Sequence, residues 1–128
     1  MLTVFDETAR GERTHRVAIK VTSESITLKE LIERRVYAEV EKFNLQRPVN
    51  FKALVQPKEA QETAQGYRLP AHRDLNPDVT ALEAIKAFEN KQFFVMVNNK
   101  EVKDLNEKIE ITDQTEIAFV KLMPIVGG

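Results

Sequence analysis

The chain has 128 residues, of which 42% are hydrophobic and 30% charged, a composition typical of a soluble protein with one core. Its 19 basic and 20 acidic residues give a formal net charge of -1, which excludes a strong overall attraction to nucleic acid or anionic membranes. The absence of cysteine excludes disulfides, thiolate metal sites and a cysteine nucleophile.

The length predicts a single domain that spans residues 1–128. The first seven residues carry acids too early for a secretory signal, and no apolar run approaches the length needed to span a bilayer. We therefore expect a cytoplasmic protein without nucleic-acid or membrane partners.

The first predicted element is a β-hairpin. Residues 2–8 form its first strand, and residues 9–13 form a turn in which Gly11 can supply a positive φ. Residues 14–21 then alternate between apolar and polar positions, as a strand with one wet face does. Its apolar face comprises Val17, Ile19 and Val21. His15 is expected at the surface, because no second metal ligand or orienting acid lies near it in the sequence.

The strongest local signal predicts a long amphipathic helix that begins after Thr27 and stops near Asn44. Thr27 can cap the helix and Glu30 can return the hydrogen bond, as in a capping box. Apolar residues at three- and four-residue spacing form one stripe: Leu28, Leu31, Ile32, Val36, Val40 and Phe43. The charged residues between them, Arg35 and Glu39 included, are expected on a solvated face.

The last third of the chain predicts a closing set of strands. Residues 93–97 are a continuous apolar run, which suits a strand covered on both faces. A turn at residues 98–100 leads to a short strand at 101–102, and residues 109–111 alternate again. Residues 115–123 form the last long strand. In this strand, Ile117 and Phe119 face opposite to Ala118 and Val120.

Residues 45–91 separate these halves and are predicted to be an insertion packed on the core. Within it, residues 49–56 can form a strand, and residues 57–74 are polar and loop-like. Asn76-Pro77-Asp78 begins a short helix. Its apolar residues are Val79, Leu82, Ile85 and Phe88. The loop offers either plain surface or a contact patch made of Tyr67, Arg68, His72 and Arg73.

The end of the chain carries the functional signal. Two of its four glycines are Gly127 and Gly128, which follow an apolar strand and Pro124. Glycine has no Cβ, so such an end can thread a narrow channel and present its carboxylate to another protein's active site. Proline cannot donate to a sheet ladder, so the strand should end and residues 124–128 should form an exposed tail. A frayed terminus is the alternative interpretation.

The hairpin, the long helix, the closing strands and this tail resemble the ubiquitin-like β-grasp proteins. That family includes ubiquitin and the small sulphur carriers of molybdopterin and thiamine synthesis. The resemblance covers residues 1–44 and 92–128 and is most specific in the tail. It implies an α+β fold in which one long helix crosses a mixed sheet, with residues 45–91 inserted as strand, loop and short helix.

The resemblance also implies how the tail is used. An activating enzyme that uses ATP would adenylate the carboxylate of Gly128, with Gly127 beside it, while the chain itself binds no cofactor. The apolar neck that lies along the enzyme comprises Leu122, Met123, Pro124, Ile125 and Val126. A docking face for the enzyme would include Met96, Ala118 and Val120, with burial under the insertion as the alternative.

Three functions are consistent with this resemblance. In the first, the chain is a protein modifier, similar to bacterial ones encoded beside their own enzymes, and passes through a conjugating enzyme to a target amine. The resulting isopeptide bond is one that a peptidase can cut. In the second, the chain is a sulphur carrier whose thiocarboxylate serves cofactor synthesis. In the third, it is a non-covalent interaction module. The extra size of the chain favours the first.

An enzyme is not expected. The two histidines are far apart in the sequence, and no nucleophile or metal motif is present. The acids Asp6, Glu7 and Glu110 are expected at turns and strand surfaces.

Overall fold

The computed structural model describes residues 2–46, 53–55, 61–63, 66–68 and 74–122, with side chains described outside 61–63 and 66–68. Within this part of the chain the protein is α+β, with a mixed five-stranded sheet, two helices and two small two-stranded ladders. The arrangement is compatible with the β-grasp fold. In the same ranges, no helix has the length and apolar character that a membrane crossing requires.

The predicted N-terminal hairpin is confirmed. Strand β1 (Leu2–Glu7) pairs antiparallel with β2 (Arg13–Ile19). The connecting turn is closed by hydrogen bonds between Thr8 and Glu12, and Gly11 adopts a φ of 88°. That left-handed conformation is one that glycine takes without steric cost, so the turn follows from the residue at its tip.

The long helix also forms as predicted. Strand β3 (Ser25–Thr27) leads directly into α1 (Leu28–Gln46), and the amide of Glu30 donates to Thr27 Oγ1 at 3.1 Å. Every member of the predicted apolar stripe is buried. The helix continues past Asn44, contrary to the prediction that it stops there. The side-chain amide of Asn44 instead bonds both the N–H and the carbonyl of Leu75, at 2.8 and 3.1 Å, so it fixes the chain before the second helix.

The insertion differs from the prediction in two places. Residues 53–55 form a buried bend and not part of a strand, while residues 49–52 and 56 lie outside the described residues. The polar stretch predicted as loop contains a small hairpin, β4 (Gln61–Thr63) paired with β5 (Gly66–Arg68). Most residues of this hairpin are polar, so the sequence contains no apolar alternation to read there. Tyr67 and Arg68 lie on β5, whereas His72 and Arg73 lie outside the described residues.

Helix α2 (Pro77–Glu89) begins where the sequence predicts. The side chain of Asn76 accepts hydrogen bonds from the amides of Asp78 and Val79, which caps the helix. Two of its four predicted apolar residues face the core, since Ile85 is buried and Phe88 packs against the core, but Val79 and Leu82 are 52% and 55% exposed, contrary to the prediction. The buried positions are Ala81, Ala84, Ile85 and Ala87. Alanine side chains are small, so three of the four buried positions add little to the apolar pattern of the helix.

The main sheet places the last strand at its centre. The strand order is β2-β1-β9-β6-β7, where β9 is Ile117–Lys121, β6 is Phe93–Val97 and β7 is Lys100–Val102. Strand β9 runs parallel to β1 and antiparallel to β6. It is shorter than the predicted strand at residues 115–123. The remaining strand, β8 (Lys108–Glu110), pairs with β3 beside the start of α1.

The hairpin between β6 and β7 turns at two asparagines. Asn98 and Asn99 have φ values of 50° and 67°, the pair of positive angles that a type I′ turn requires. The predicted turn at residues 98–100 is therefore confirmed, although Lys100 already belongs to β7.

Candidate functional site

The chain leaves the sheet at the end of β9. The amide of Leu122 donates to the carbonyl of Gln92 at 3.3 Å, and Leu122 itself is 50% exposed. The other predicted tail residues, Met123, Pro124, Ile125, Val126, Gly127 and Gly128, lie outside the described residues. The structure therefore places Leu122, the root of the predicted tail, at the end of the central strand β9, which lies between β1 and β6.

A cleft of about 790 Å³ lies beside this root. Its apolar lining includes Phe88, Leu105 and Leu122, and its polar lining includes Lys91 and Lys103. No local pattern in the sequence indicates it, because its lining comes from three separate stretches of the chain, residues 88–94, residues 101–106 and Leu122.

The three predicted docking residues share the outer face of the sheet, the face opposite α1. Met96 is the register partner of Ala118, and Val120 is that of Phe94, so all of them point to the same side. Ala118 and Val120 are 9% and 6% exposed, and Met96 is half-buried. The structure thus brings the predicted residues together, although Ala118 and Val120 contribute little accessible surface of their own.

Phe5 and Phe94 enlarge this outer apolar surface. Phe5 is the register partner of Ala118 on β1, and the guanidinium of Arg13 lies 4.0 Å from the centre of its ring. Arg13 also contacts the carboxylates of Glu7 and Glu116, at 3.2 and 3.6 Å. A groove of about 230 Å³ runs along this surface. We define the outer surface as Phe5, Phe94, Met96, Ala118 and Val120. The alternation of side chains along a strand could have placed both phenylalanines on this face from the sequence.

The inner face of the sheet carries a buried ion pair. Asp6 is 2% exposed and Arg35 is fully buried, contrary to the expectation that both lie at the surface. Their contact is bidentate: Arg35 Nη1 donates to Asp6 Oδ1, and Nη2 donates to Oδ2 at 2.9 Å. Two parallel hydrogen bonds between a fork and a carboxylate are the strongest form of such a pair. The pair joins β1 directly to α1.

Two more charges complete a cluster around this pair. Lys121 Nζ lies 3.2 Å from Asp6 Oδ2, and Arg35 Nη2 lies 3.3 Å from Glu39 Oε2. Glu39 was expected on the solvated face, but its side chain is only 9% exposed. We call Asp6, Arg35, Glu39 and Lys121 the charge cluster. It holds two positive and two negative groups, so its formal charge is balanced.

The pKa shifts follow from burial and from these contacts. Burial alone would raise the pKa of Asp6, but the bonds and charges of Arg35 and Lys121 outweigh it and lower that pKa below its usual value. Burial lowers the pKa of Lys121 and the nearby Arg35 charge lowers it further, while Asp6 and Glu39 only partly oppose this shift. The pKa of Arg35 is raised, since the nearby carboxylates outweigh its burial.

His15 borders the charge cluster. It was expected to be a surface residue far from any acid, yet it is half-buried and is the register partner of Asp6. Burial is the largest cause that lowers its pKa, and the charge of Asp6 opposes that shift. Asp6 becomes the neighbour of His15 only through the pairing of β1 with β2. The separation of the two residues in the sequence does not reveal this contact. No group of three potential metal ligands exists in the described ranges.

Comparisons with protein-family models, with curated proteins and with solved structures gave no match for this chain. Its function is therefore inferred from the residues and geometry described above.

We expect Asp6→Asn to lower the free energy of unfolding at pH 7 by about 3 kcal/mol or more, because it leaves the Arg35 charge buried with weaker partners. The folded-state pKa of Asp6 is lowered, so its contribution is fully present above the ordinary value of 3.8 and is lost as pH falls through the folded-state pKa. The difference between wild type and Asp6→Asn should therefore shrink in acid.

Denaturant unfolding between pH 7 and pH 2.5 measures this difference. Asp113→Asn, a change at an exposed turn residue, is the matched control and should follow wild type at every pH. A difference between wild type and Asp6→Asn that stays constant with pH would show that Asp6 is not the titrating partner.

Proposed function

We propose that this protein is a ubiquitin-like modifier whose Gly128 carboxylate is adenylated by an ATP-dependent activating enzyme. Adenylation gives the carboxylate a good leaving group, AMP, which a partner thiol displaces to form a thioester at the Gly128 carbonyl carbon. A conjugating enzyme then presents the thioester to a target amine, which displaces the thiol and forms an amide bond. Because the chain has no cysteine, every thiol in this sequence of steps belongs to a partner.

The position of β9 carries the proposal. This strand is bonded to β1 on one side and β6 on the other, so its end is a rigid support for the tail. The six residues after Leu122 can span about 20 Å when extended, enough to reach into an enclosed active site. The proposal requires Gly128 to carry a free carboxylate, either as synthesised or after a peptidase removes any residues beyond it.

The outer surface supports contact with an activating enzyme. Its apolar centre lies on the same central strands that end at the tail root, and charged residues such as Arg13 and Glu116 flank it. An apolar centre with a charged rim is the common anatomy of protein interfaces. An enzyme seated there would be positioned to receive the tail as it leaves β9.

Removal of Gly128 should abolish transfer, because the chain would end one residue short at Gly127 and Val126 would take the place of a glycine in the enzyme's channel. The test incubates an N-terminally tagged chain with lysate of the source cells and ATP, and then measures intact mass and lysine-linked peptides. The wild-type chain should become covalently attached to another protein through Gly128, and only when ATP is present.

The melting temperature of the Gly128 deletion should equal that of wild type, which separates lost chemistry from lost folding. Retained transfer by the deleted chain would refute the proposal. A gain of one sulphur in place of one oxygen would instead assign the sulphur-carrier function.

The outer surface predicts a second effect on the same reaction. Met96→Glu should lower the rate of ATP-dependent transfer by about tenfold or more, because it puts a charge at the centre of an apolar contact. Leu82→Glu is the matched control, since Leu82 is an exposed apolar residue on α2. Equal rates for the two variants, both with unchanged circular dichroism, would place the enzyme on another surface.

A further inference from the structure

One row of side chains crosses the outer face of the whole five-stranded sheet. Phe5 pairs with Arg16 on β2 and with Ala118 on β9. Met96 pairs with the same Ala118 and, on its other side, with Glu101 on β7. Residues that are paired across strands point to the same side of a sheet, so all five side chains share the outer face. We call Arg16, Phe5, Ala118, Met96 and Glu101 the cross-sheet row.

The cross-sheet row has opposite charges at its two ends and apolar side chains between them. Arg16 lies on the edge strand β2, Glu101 lies on the opposite edge strand β7, and both residues are exposed. Adjacent strands are about 4.8 Å apart, so the backbones of these two residues are separated by about 19 Å, too far for an ion pair within one chain. Within the part of the chain that the structure describes, neither residue has an ion-pair partner.

This pattern is complementary to itself. A second copy can be turned by a half-rotation about an axis that runs along β9 and then laid on the outer face. In that arrangement Arg16 of each copy faces Glu101 of the other, as the two-fold symmetry of a homodimer requires. Phe5 of each copy faces Met96 of the other, and Ala118 meets its counterpart at the axis. An axis across the strands would instead place Arg16 against Arg16, so the charges favour the first arrangement.

The contacts across such an interface are favourable. Methionine sulphur packs well against aromatic rings, which suits the pairing of Met96 with Phe5. The small side chain of Ala118 allows the two sheets to approach to about 10 Å, the usual spacing of stacked sheets. Glu116, which precedes β9 near the axis, lies 3.6 Å from Arg13 and so brings a compensating cation with it. The formal net charge of -1 adds little repulsion between copies.

We propose that this protein forms a two-fold symmetric dimer through its outer surface, with Arg16 of each copy bound to Glu101 of the other. Five strands of about five residues present a flat area of about 300 Å², less than the roughly 800 Å² per partner of a standard interface. The dimer is therefore weak, with a dissociation constant between about 10 µM and about 1 mM. Its formation does not depend on the proposed function. If that function holds, the second copy and the activating enzyme compete for the outer surface.

Sedimentation equilibrium of the purified full chain, from about 10 µM to about 1 mM and without ATP, measures this association. Wild type should shift from monomer towards dimer over this range. Arg16→Glu and Glu101→Arg each create two contacts between like charges, so each variant should dimerise at least about tenfold more weakly. Glu41→Arg is the matched control, because it makes the same charge change as Glu101→Arg at an exposed position on α1, on the other side of the sheet. It should dimerise like wild type.

The charge reversals also predict a specific rescue. An equimolar mixture of the Arg16→Glu and Glu101→Arg chains restores opposite charges at both contacts of a mixed dimer. This mixture should therefore associate to within about threefold of the wild-type affinity, although each chain alone does not. The double variant that carries both changes should dimerise in the same way.

Three results would overturn the inference: a wild-type chain that stays monomeric up to about 1 mM, single variants that dimerise as tightly as wild type, or a mixture that does not associate. Unchanged circular dichroism of each variant separates a lost contact from lost folding. If a variant fails to fold, the concentration dependence of the wild type decides alone.

Discussion

The ion pair between Asp6 and Arg35 is the interaction on which the rest of the fold depends. Removing two charges from water costs several kcal/mol for each ion, and only good geometry with further partners offsets that cost. Here the contact is bidentate, the Arg35 guanidinium lies 4.7 Å from the centre of the Phe119 ring, and Glu39 and Lys121 supply the remaining partners. Since Asp6 is on β1 and Arg35 on α1, the pair joins the helix directly to the sheet.

The charge cluster therefore connects three parts of the molecule that are distant in sequence. Asp6 belongs to the first strand, and Lys121 is the last residue of the central strand, one position before the tail root. Glu39 and Lys121 also bind the backbone of Leu54 and Ala53, which belong to the insertion and form neither helix nor strand. The outer surface lies on the other side of the same strands. The charge cluster thus lies on the inner face of the sheet, and the outer face is the one to which we assign the proposed partner.

Much of the framework could be predicted from local patterns. Gly11 indicated the hairpin turn, Thr27 and Glu30 indicated the start of α1, and Asn76 indicated the start of α2. These elements depend on neighbours within a few residues. Val79 and Leu82 were wrongly assigned to the buried face of α2, because most of its buried positions are alanines, which contribute little hydrophobicity to a pattern.

The charge cluster was missed because residue type was given more weight than position. Arg35 and Glu39 lie at four-residue spacing between Leu31 and Phe43, within the buried stripe of α1. Asp6 continues the inward alternation of Leu2 and Val4 along β1. A charged residue at a position that the apolar pattern assigns to the core indicates a buried ion pair when a residue of opposite charge occupies such a position on a neighbouring element. The strand pairing that brings Lys121 and His15 to Asp6 is long-range, and no local pattern contains it.

A double-mutant cycle on Asp6→Asn and Arg35→Met tests the central claim most directly, because it isolates the coupling between the two side chains from their separate effects. The coupling is obtained from the unfolding free energies of the wild type, the two single variants and the double variant. We expect a coupling of about 3 kcal/mol, with the double variant more stable than the sum of the single losses predicts. Additive losses would contradict the claim that this pair joins the helix to the sheet.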